Sequence, residues 1–348
     1  MTALTPQTVS NIAAELLDAG MLLAGEPLRE GGRGQPAIPL SLNPDGAYAV
    51  GMQLDHQMLV ALALDLSGQA RFRLELAVDR PTPDQALPLI AGLLQRLRQE
   101  SGLDWGACWA GAGDAGPFGW RHDLGRPTTL PGWEGVDSAS LTRALGLPVL
   151  LEKDATAAAI GERLYGTAST LRNFVYLFVG AGLGAGLFLD GRLYTGGRRN
   201  AGEVGHMMVV PDGRPCDCGN RGCLERYVSL QALYEALGIA GGRSPRQSTW
   251  GPRHRCRRPA LAGCRRGPLK QAINILESLL DIDAVVLGGL LPPAWQEALL
   301  ARLHPLPLSV RSSSGDRLRL GSAGATWWRW ARRPCWYSMN STRNTRCC

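Results

Sequence analysis

Residues 174–229 read FVYLFVGAGLGAGLFLDGRLYTGGRRNAGEVGHMMVVPDGRPCDCGNRGCLERYVS. Phe174 to Leu189 form an apolar run, a glycine turn and a second apolar run, the pattern of two buried strands joined by a tight connection. Beyond them His206, Cys216, Cys218 and Cys223 follow the spacing His-x9-Cys-x-Cys-x4-Cys. Zinc favours four nitrogen and sulfur ligands in a tetrahedron, and a fully protein-ligated site leaves no position for water. The spacing therefore predicts one structural zinc ion. Gly213, Pro215, Gly219 and Gly222 supply the turns that let three thiolates meet at one point. The bland alternative is a loop with free thiols. Cys108 reads as a core residue.

Working outward, Leu147 to Leu151 reads as a strand running into a helix from Ala155 to Leu164. Tyr48 to Leu66 and Arg71 to Val78 read as strands that include an initial hairpin. The second alternates Phe72, Leu74, Leu76 and Val78, as a half-buried antiparallel strand does. A helix follows with Leu87, Ile90, Leu94 and Leu97 on one face, and LKQAINILESLLDIDAVVLGG at 269–289 is a helix and then a strand. Strands alternating with helices predict α/β lobes, with no repeat at a short period. A chain of 348 residues, 45% hydrophobic and 19% charged, can bury two large lobes and a small appendage. No stretch approaches the roughly 20 apolar residues of a membrane helix. No secretory pattern opens the chain, so the expected partners exclude a membrane and the expected location is cytoplasmic.

The N-terminal segment has a different character. Thr5 suits an N-cap, Pro6 suits the first helical position, and Val9, Ile12, Ala13, Leu16 and Leu17 make an apolar stripe. Gly20 can close this helix, residues 5 to 19, in the left-handed conformation. Met21 to Leu23 and Ala37 to Leu42 are short apolar runs separated by GEPLREGGRGQP. A helix followed by a small β-wing matches the back half of a winged helix-turn-helix. Gln7, Thr8 and Asn11 would lie on its exposed face, where such residues read base edges in a major groove. An ordinary amphipathic helix and hairpin explain the same pattern. The first two helices of such a module have no counterpart ahead of Thr5.

The net charge of +7 is unevenly distributed. Residues 243–266 hold eight arginines and 324–348 hold five, neither segment having an Asp or Glu. Without them 24 basic residues face 30 acidic ones, a net of −6, so the charge is no argument for nucleic acid. The first segment lacks helical or strand periodicity, and the second packs four of the ten tryptophans into 25 residues. Both read as translations of a shifted frame, the first corrected near Gly267 and the second never corrected. Disordered basic tails are the alternative. The coding DNA read in its other frames decides between them, and nonsense there removes the frameshift. Cys256, Cys264, Cys335, Cys347 and Cys348 lie in these segments and carry no metal argument.

Glu203 and Glu225 flank the predicted zinc ligands, and Asp154 stands at the mouth of a strand. Carboxylates facing a cleft take hydroxyl hydrogen bonds from a polyol, although each alone could be a solvated surface acid. GAGLGAGLFLDGRLYTGGRRNAGEVGHMMVVPDGRPCDCGNRGCLERYVS at 180–229 resembles the central stretch of the ROK family of sugar kinases and sugar-responsive repressors. RPTTLPGWEGVDSASLTRALGLPVLLEKDATAAAIGERLYG at 126–166 resembles the segment preceding it. The resemblance runs from Leu4 to Gly242 and from Leu269 to Gly324. It implies an α/β fold of two actin-like (ribonuclease H-like) lobes with a sugar in the cleft between them, behind a truncated N-terminal winged helix-turn-helix. The implied organisation is 1–42 for the partial DNA-binding module, 46–150 and 151–323 for the lobes, and 324–348 for the aberrant tail.

On this resemblance Asp154 falls where the kinases place their catalytic base, and Glu203, His206 and Glu225 fall on sugar contacts. His206 then has two tasks, one ring nitrogen on zinc and the other toward the sugar. Two positions depart from the kinases, with Thr129 and Lys153 each standing where they have an Asn. A third departure concerns phosphate. The kinases use an Asp-x-Gly-Gly-Thr turn, whereas Gln53 and Asp55, His56 and Gln57 stand here. Side chains replace the close backbone approach of glycine, and Asp55 adds negative charge, so ATP binding is expected to be lost. The glycine loop Gly180 to Gly186 remains. The resemblance thus favours the regulatory branch, with Thr5, Gln7, Thr8 and Asn11 toward DNA and Arg33 of the wing entering a minor groove. A monosaccharide or sugar phosphate would be the effector, and a homo-oligomer would span paired operator half-sites. The alternatives are a hexose kinase using Asp154, and a damaged copy that binds sugar but not DNA.

Overall fold

A computed structural model of the protein describes residues 4–28, 37–54, 58–103, 107–112, 130, 132–133, 136–236, 266–310 and 316–322, with only the backbone for 107–112 and 266. Arg33, Asp55, His56, Gln57, Thr129, residues 243–265 and the tail 324–348 lie outside these residues, as does the side chain of Cys108. The chain divides into two compact units, whose described residues end at Asp154 in the first and start at Ala155 in the second.

The first unit opens with α1, Pro6–Asp18, capped by Thr5, whose side-chain oxygen accepts from the Thr8 amide at 3.3 Å. Gly20 closes it at φ +70, and the Gly20 and Met21 amides bond to the Leu17 and Leu16 carbonyls, a Schellman ending. The expected stripe is only half covered: Leu16 and Leu17 are partly buried, while Val9 and Ile12 are exposed. Strands β1, Leu22–Ala24, and β2, Leu40–Leu42, pair antiparallel in a two-stranded sheet.

Tyr48 to Leu66 is not one strand but two, β3 at Tyr48–Leu54 and β4 at Met58–Asp65, paired antiparallel in the hairpin. The sheet continues with β5, Ala70–Ala77, on one side, and β6, Ala107–Ala112, and β7, Val149–Lys153, on the other. Its order is β5-β4-β3-β6-β7, with β3, β6 and β7 parallel. Helix α2, Pro83–Ser101, lays Ile90, Leu94 and Leu97 on this sheet as expected, and adds Ala86 and Leu93. Helix α3, Ser138–Leu145, is closed at both ends, by an Asp137 capping box and a left-handed Gly146.

The second unit repeats this topology. Its strands are β8, Phe174–Val179; β9, Leu183–Leu189; β10, Arg192–Tyr194; β11, Ala284–Gly289; and β12, Leu318–Leu320. Their order is β10-β9-β8-β11-β12, antiparallel for the first three and parallel from β8 onward. The apolar runs of β8 and β11 are buried throughout because helices cover both faces, as a parallel sheet requires. Val175, Leu177 and Val179 enter one core with α5, Leu230–Ala236, α6, Arg266–Leu280, and α7, Pro293–Leu303. Phe174, Tyr176 and Phe178 enter the other with α4, Asp154–Tyr165. Among the described residues no helix is long and apolar enough to cross a membrane.

One expectation about the glycines changes. Only Gly180 to Gly182 form a turn, closed by the Gly180 amide on the Gly182 carbonyl at 3.0 Å. Gly184 and Gly186 belong to β9, where they let α4 lie directly on the strand. A Cβ built on Gly186 would stand 2.3 Å from the Ala159 Cβ and 2.7 Å from the Ala155 carbonyl oxygen. Gly186→Ala is therefore expected to destabilise the protein by about 1–3 kcal/mol through overpacking, read as a lower urea midpoint at unchanged slope.

Candidate metal centre

The segment after β10 has almost no regular structure, and backbone contacts hold it. A first 3-10 turn, Val204–His206, is pressed against β9 by the close approach of Gly202 and Gly205. The Ala185 amide donates to the Gly202 carbonyl at 2.8 Å. A Cβ on Gly202 would lie 1.9 Å from the Ala185 carbonyl oxygen, and one on Gly205 would lie 2.2 Å from that of Leu183. This close approach aims Glu203 and His206 to one side. A second 3-10 turn, Leu224–Arg226, is tied back by the Leu224 amide on the Met207 carbonyl at 2.9 Å and by a bridge between Met208 and Cys223.

The cysteine loop is built in the same way. The Cys216 amide bonds the Asn220 carbonyl at 2.9 Å, and Gly219 turns at φ +89. Gly222 has φ +79 and lies so close to Val210 that a Cβ would sit 1.7 Å from its carbonyl oxygen. The Tyr227 hydroxyl accepts from the Arg214 amide at 2.8 Å and fills the space beside Gly213. Tyr227 and the two glycines of AGEVG are supports that spacing arguments about ligands passed over. The Gly-x-x-Gly that brackets Glu203, Gly202 to Gly205, was the available signal.

The result brings His206, Cys216, Cys218 and Cys223 together, with all four donor atoms within 4.8 Å of one another. Cys216 Sγ lies 3.7 Å from His206 Nδ1, and Cys218 Sγ lies 3.5 Å from Cys223 Sγ. The three cysteines are free, and Cys216 and Cys223 are buried. Burial first, and the Glu225 carboxylate after it, push the Cys216 thiol up from its ordinary range. Burial and the adjacent Cys218 thiol push Cys223 up to about 11. Thiols that hold their protons this firmly, gathered beside an imidazole, make a cluster that could hold a metal ion in exchange for those protons.

Both flanking carboxylates join the cluster. Glu225 Oε1 is 3.0 Å from Cys216 Sγ and 3.4 Å from His206 Nδ1, and Glu203 Oε2 is 3.9 Å from His206 Nε2. The imidazole therefore turns one nitrogen to the sulfurs and the other to Glu203. Asp154 is the half-buried first residue of α4, at the end of β7 in the first unit. At the N-terminus Thr5, Gln7, Thr8 and Asn11 are exposed, with Thr5 serving as the cap and Gln7 Nε2 donating to Asn11 Oδ1 at 3.0 Å.

Residues 126–303, just over half of the chain, match the model of the ROK family. The chain belongs to the ROK family, and its α/β sheets have the actin-like fold of that family's regulators and kinases. It is 31% identical to the xylose repressor of Bacillus subtilis over 68% of its own length and 62% of that protein's, so the match spans about three fifths of the relative. It is also 45% identical over 89 residues to the glucokinase of Streptomyces coelicolor, which is 26% of this chain and 28% of that one. The crystal structure of a ROK family transcriptional regulator, a homologue of the E. coli MLC protein, superimposes with a TM-score of 0.67. That comparison covers 94% of this chain and 89% of that one at 23% identity.

Because metal must displace protons from raised thiols, its apparent affinity should climb with pH. At least about a tenfold rise per pH unit is expected between about pH 6.5 and 8, measured by competition with a chelating dye. Cys223→Ser should lower bound metal from about one ion per chain to a small fraction of that, measured by elemental analysis.

Proposed function

We propose that the chain is a sugar-responsive transcriptional regulator whose effector pocket is supported by a structural zinc ion. The observation that carries this reading is the two-sided placement of His206, with Nδ1 3.7 Å from Cys216 Sγ and Nε2 3.9 Å from Glu203 Oε2. Zinc fits the donor set. Bonds of roughly 2.0–2.3 Å in a tetrahedron put neighbouring donors about 3.5–3.8 Å apart, and two of the pairs here are 3.7 and 3.5 Å apart. With one nitrogen, three sulfurs and no free position, zinc would orient His206 and hold the loop, and it would not activate water.

The sugar would be bound by Glu203, His206 and Glu225, with Asp154 as a fourth polar group. Each acidic side chain accepts hydroxyl hydrogen bonds, and the imidazole nitrogen facing Glu203 completes the set. DNA would be met by α1 and the wing, through Thr5, Gln7, Thr8, Asn11 and Arg33. The exposure of the described members of that set supports this. A homo-oligomer would place two such elements on paired half-sites, and sugar would shift the population away from that geometry. The similarity to the xylose repressor of Bacillus subtilis supports the regulatory reading.

A second reading is an ATP-dependent hexose kinase with Asp154 as base. The glucokinase relative favours it, while Gln53 in place of the kinases' Asp opposes it. A third is a damaged copy that keeps its sugar pocket and has lost DNA binding.

Electrophoretic retardation of the chain's own upstream DNA, with and without D-xylose and D-glucose, tests all three alongside coupled ADP release. Sugar-sensitive retardation without turnover is expected. Robust ADP release would establish the kinase instead, and sugar binding with no retardation would establish the damaged copy. In calorimetry Glu203→Ala should weaken sugar binding at least about tenfold, since a hydrogen bond to a charged group contributes about 1.5–3 kcal/mol.

A further inference from the structure

Glu225 is placed against both halves of the site. Its Oε1 lies 3.0 Å from Cys216 Sγ and 3.4 Å from His206 Nδ1, on the side of the metal ligands. Its Oε2 faces the glycine turn, where a Cβ built on Gly182 would be 3.1 Å away, and its Cβ lies 3.3 Å from one built on Gly205. Two glycines therefore let backbone lie close against this side chain without a Cβ in its way, and the side chain keeps some contact with solvent, at 18% exposure.

We propose that Glu225 couples metal and sugar occupancy by moving its carboxylate between Cys216 and a sugar hydroxyl. The proposal rests on the zinc and sugar reading above. Without metal, the Cys216 thiol donates its hydrogen to Glu225 Oε1. A cysteine that ligates a metal does so as the thiolate, which donates nothing. Three thiolates around a divalent cation carry a net charge of about −1, so a carboxylate at Cys216 then faces like charge in a half-buried setting. Sugar hydroxyls offer that carboxylate donors in exchange. Sugar therefore relieves the repulsion and tightens the hold on the metal, and metal by reciprocity tightens the hold on sugar. The coupling belongs to Glu225, because Glu203 sits on the other ring nitrogen, 3.9 Å from Nε2.

The test follows zinc release from the zinc-loaded full chain to the dye 4-(2-pyridylazo)resorcinol, with and without D-xylose or D-glucose at concentrations that calorimetry shows to be saturating. Sugar is expected to slow release from the native chain by about fivefold or more. Glu225→Gln should release zinc slowly without sugar, at about the rate of the sugar-bound native chain, and respond little to sugar. Equal native rates with and without saturating sugar overturn the coupling while leaving the sugar pocket intact. So does a Glu225→Gln chain that still responds as the native one does. If calorimetry detects neither sugar on the zinc-loaded native chain, the pocket falls and the coupling with it. Failure of both Glu225→Gln and Glu225→Asp to retain zinc also overturns the proposal, because a carboxylate that opposes the thiolates cannot be needed for loading.

Discussion

The site hangs on β9, and on how closely other backbone can approach it. Along its edge the carbonyls of Leu183 and Ala185 are met by Gly205 and Gly202 at distances that leave no room for a Cβ. Across its face Gly186 admits Ala155 and Ala159 of α4 with the same lack of clearance, and a Cβ on Gly184 would stand 3.0 Å from that of Ala155. A strand this crowded on edge and face behaves as a rigid rail, since filling any of these places with even one methyl would force the backbone apart. Glu203 lies between the two edge glycines and His206 directly follows the second, so their direction follows from how this segment packs on β9.

The same rail explains how a loop of mostly irregular chain can present four donor atoms within 4.8 Å. Its backbone groups are satisfied by short bridges, from Cys216 to Asn220, Gly222 to Arg214 and Leu224 to Met207. Gly219 and Gly222 take left-handed angles that a side chain would strain. The Cys216 and Cys223 thiols are pushed up by burial, and Cys216 further by Glu225, so each holds its proton more firmly than an ordinary thiol does. Metal affinity and proton release are then two views of one equilibrium. The carboxylate that opposes the Cys216 thiolate also borders the place proposed for sugar, which is why the two occupancies bear on each other.

Much of this was legible from residue order. The buried runs Phe174–Val179 and Ala284–Gly289, the capped helix from Pro6 and the stripe Ile90, Leu94, Leu97 all declare their structure through period and punctuation. The His and three Cys declare, through spacing and chemistry, a cluster that could hold a metal. What was misread is equally specific. GAGLGAG looks like a single glycine loop, yet only its first three residues turn and the other glycines are packing sites within β9. Tyr48 to Leu66 looks continuous because β3 and β4 are both apolar, and the break between them carries no glycine or proline. The identical strand order of the two sheets was invisible, because topology can repeat where no residues do.

The sequence by itself determined the element types, the α/β class and the residues that could ligate a metal, since these depend on local period, turn chemistry and side-chain donors. Only the tertiary structure decided which nitrogen of His206 meets the sulfurs and which meets Glu203. It alone placed Glu225 against Cys216, and it alone showed that Gly205 and Gly186 are required by contact rather than by turning, and Gly202 by contact as well as by its φ of +93. Those facts depend on distances between residues far apart in the chain, set by how closely α4 and the loop can pack on β9, and no linear pattern records them.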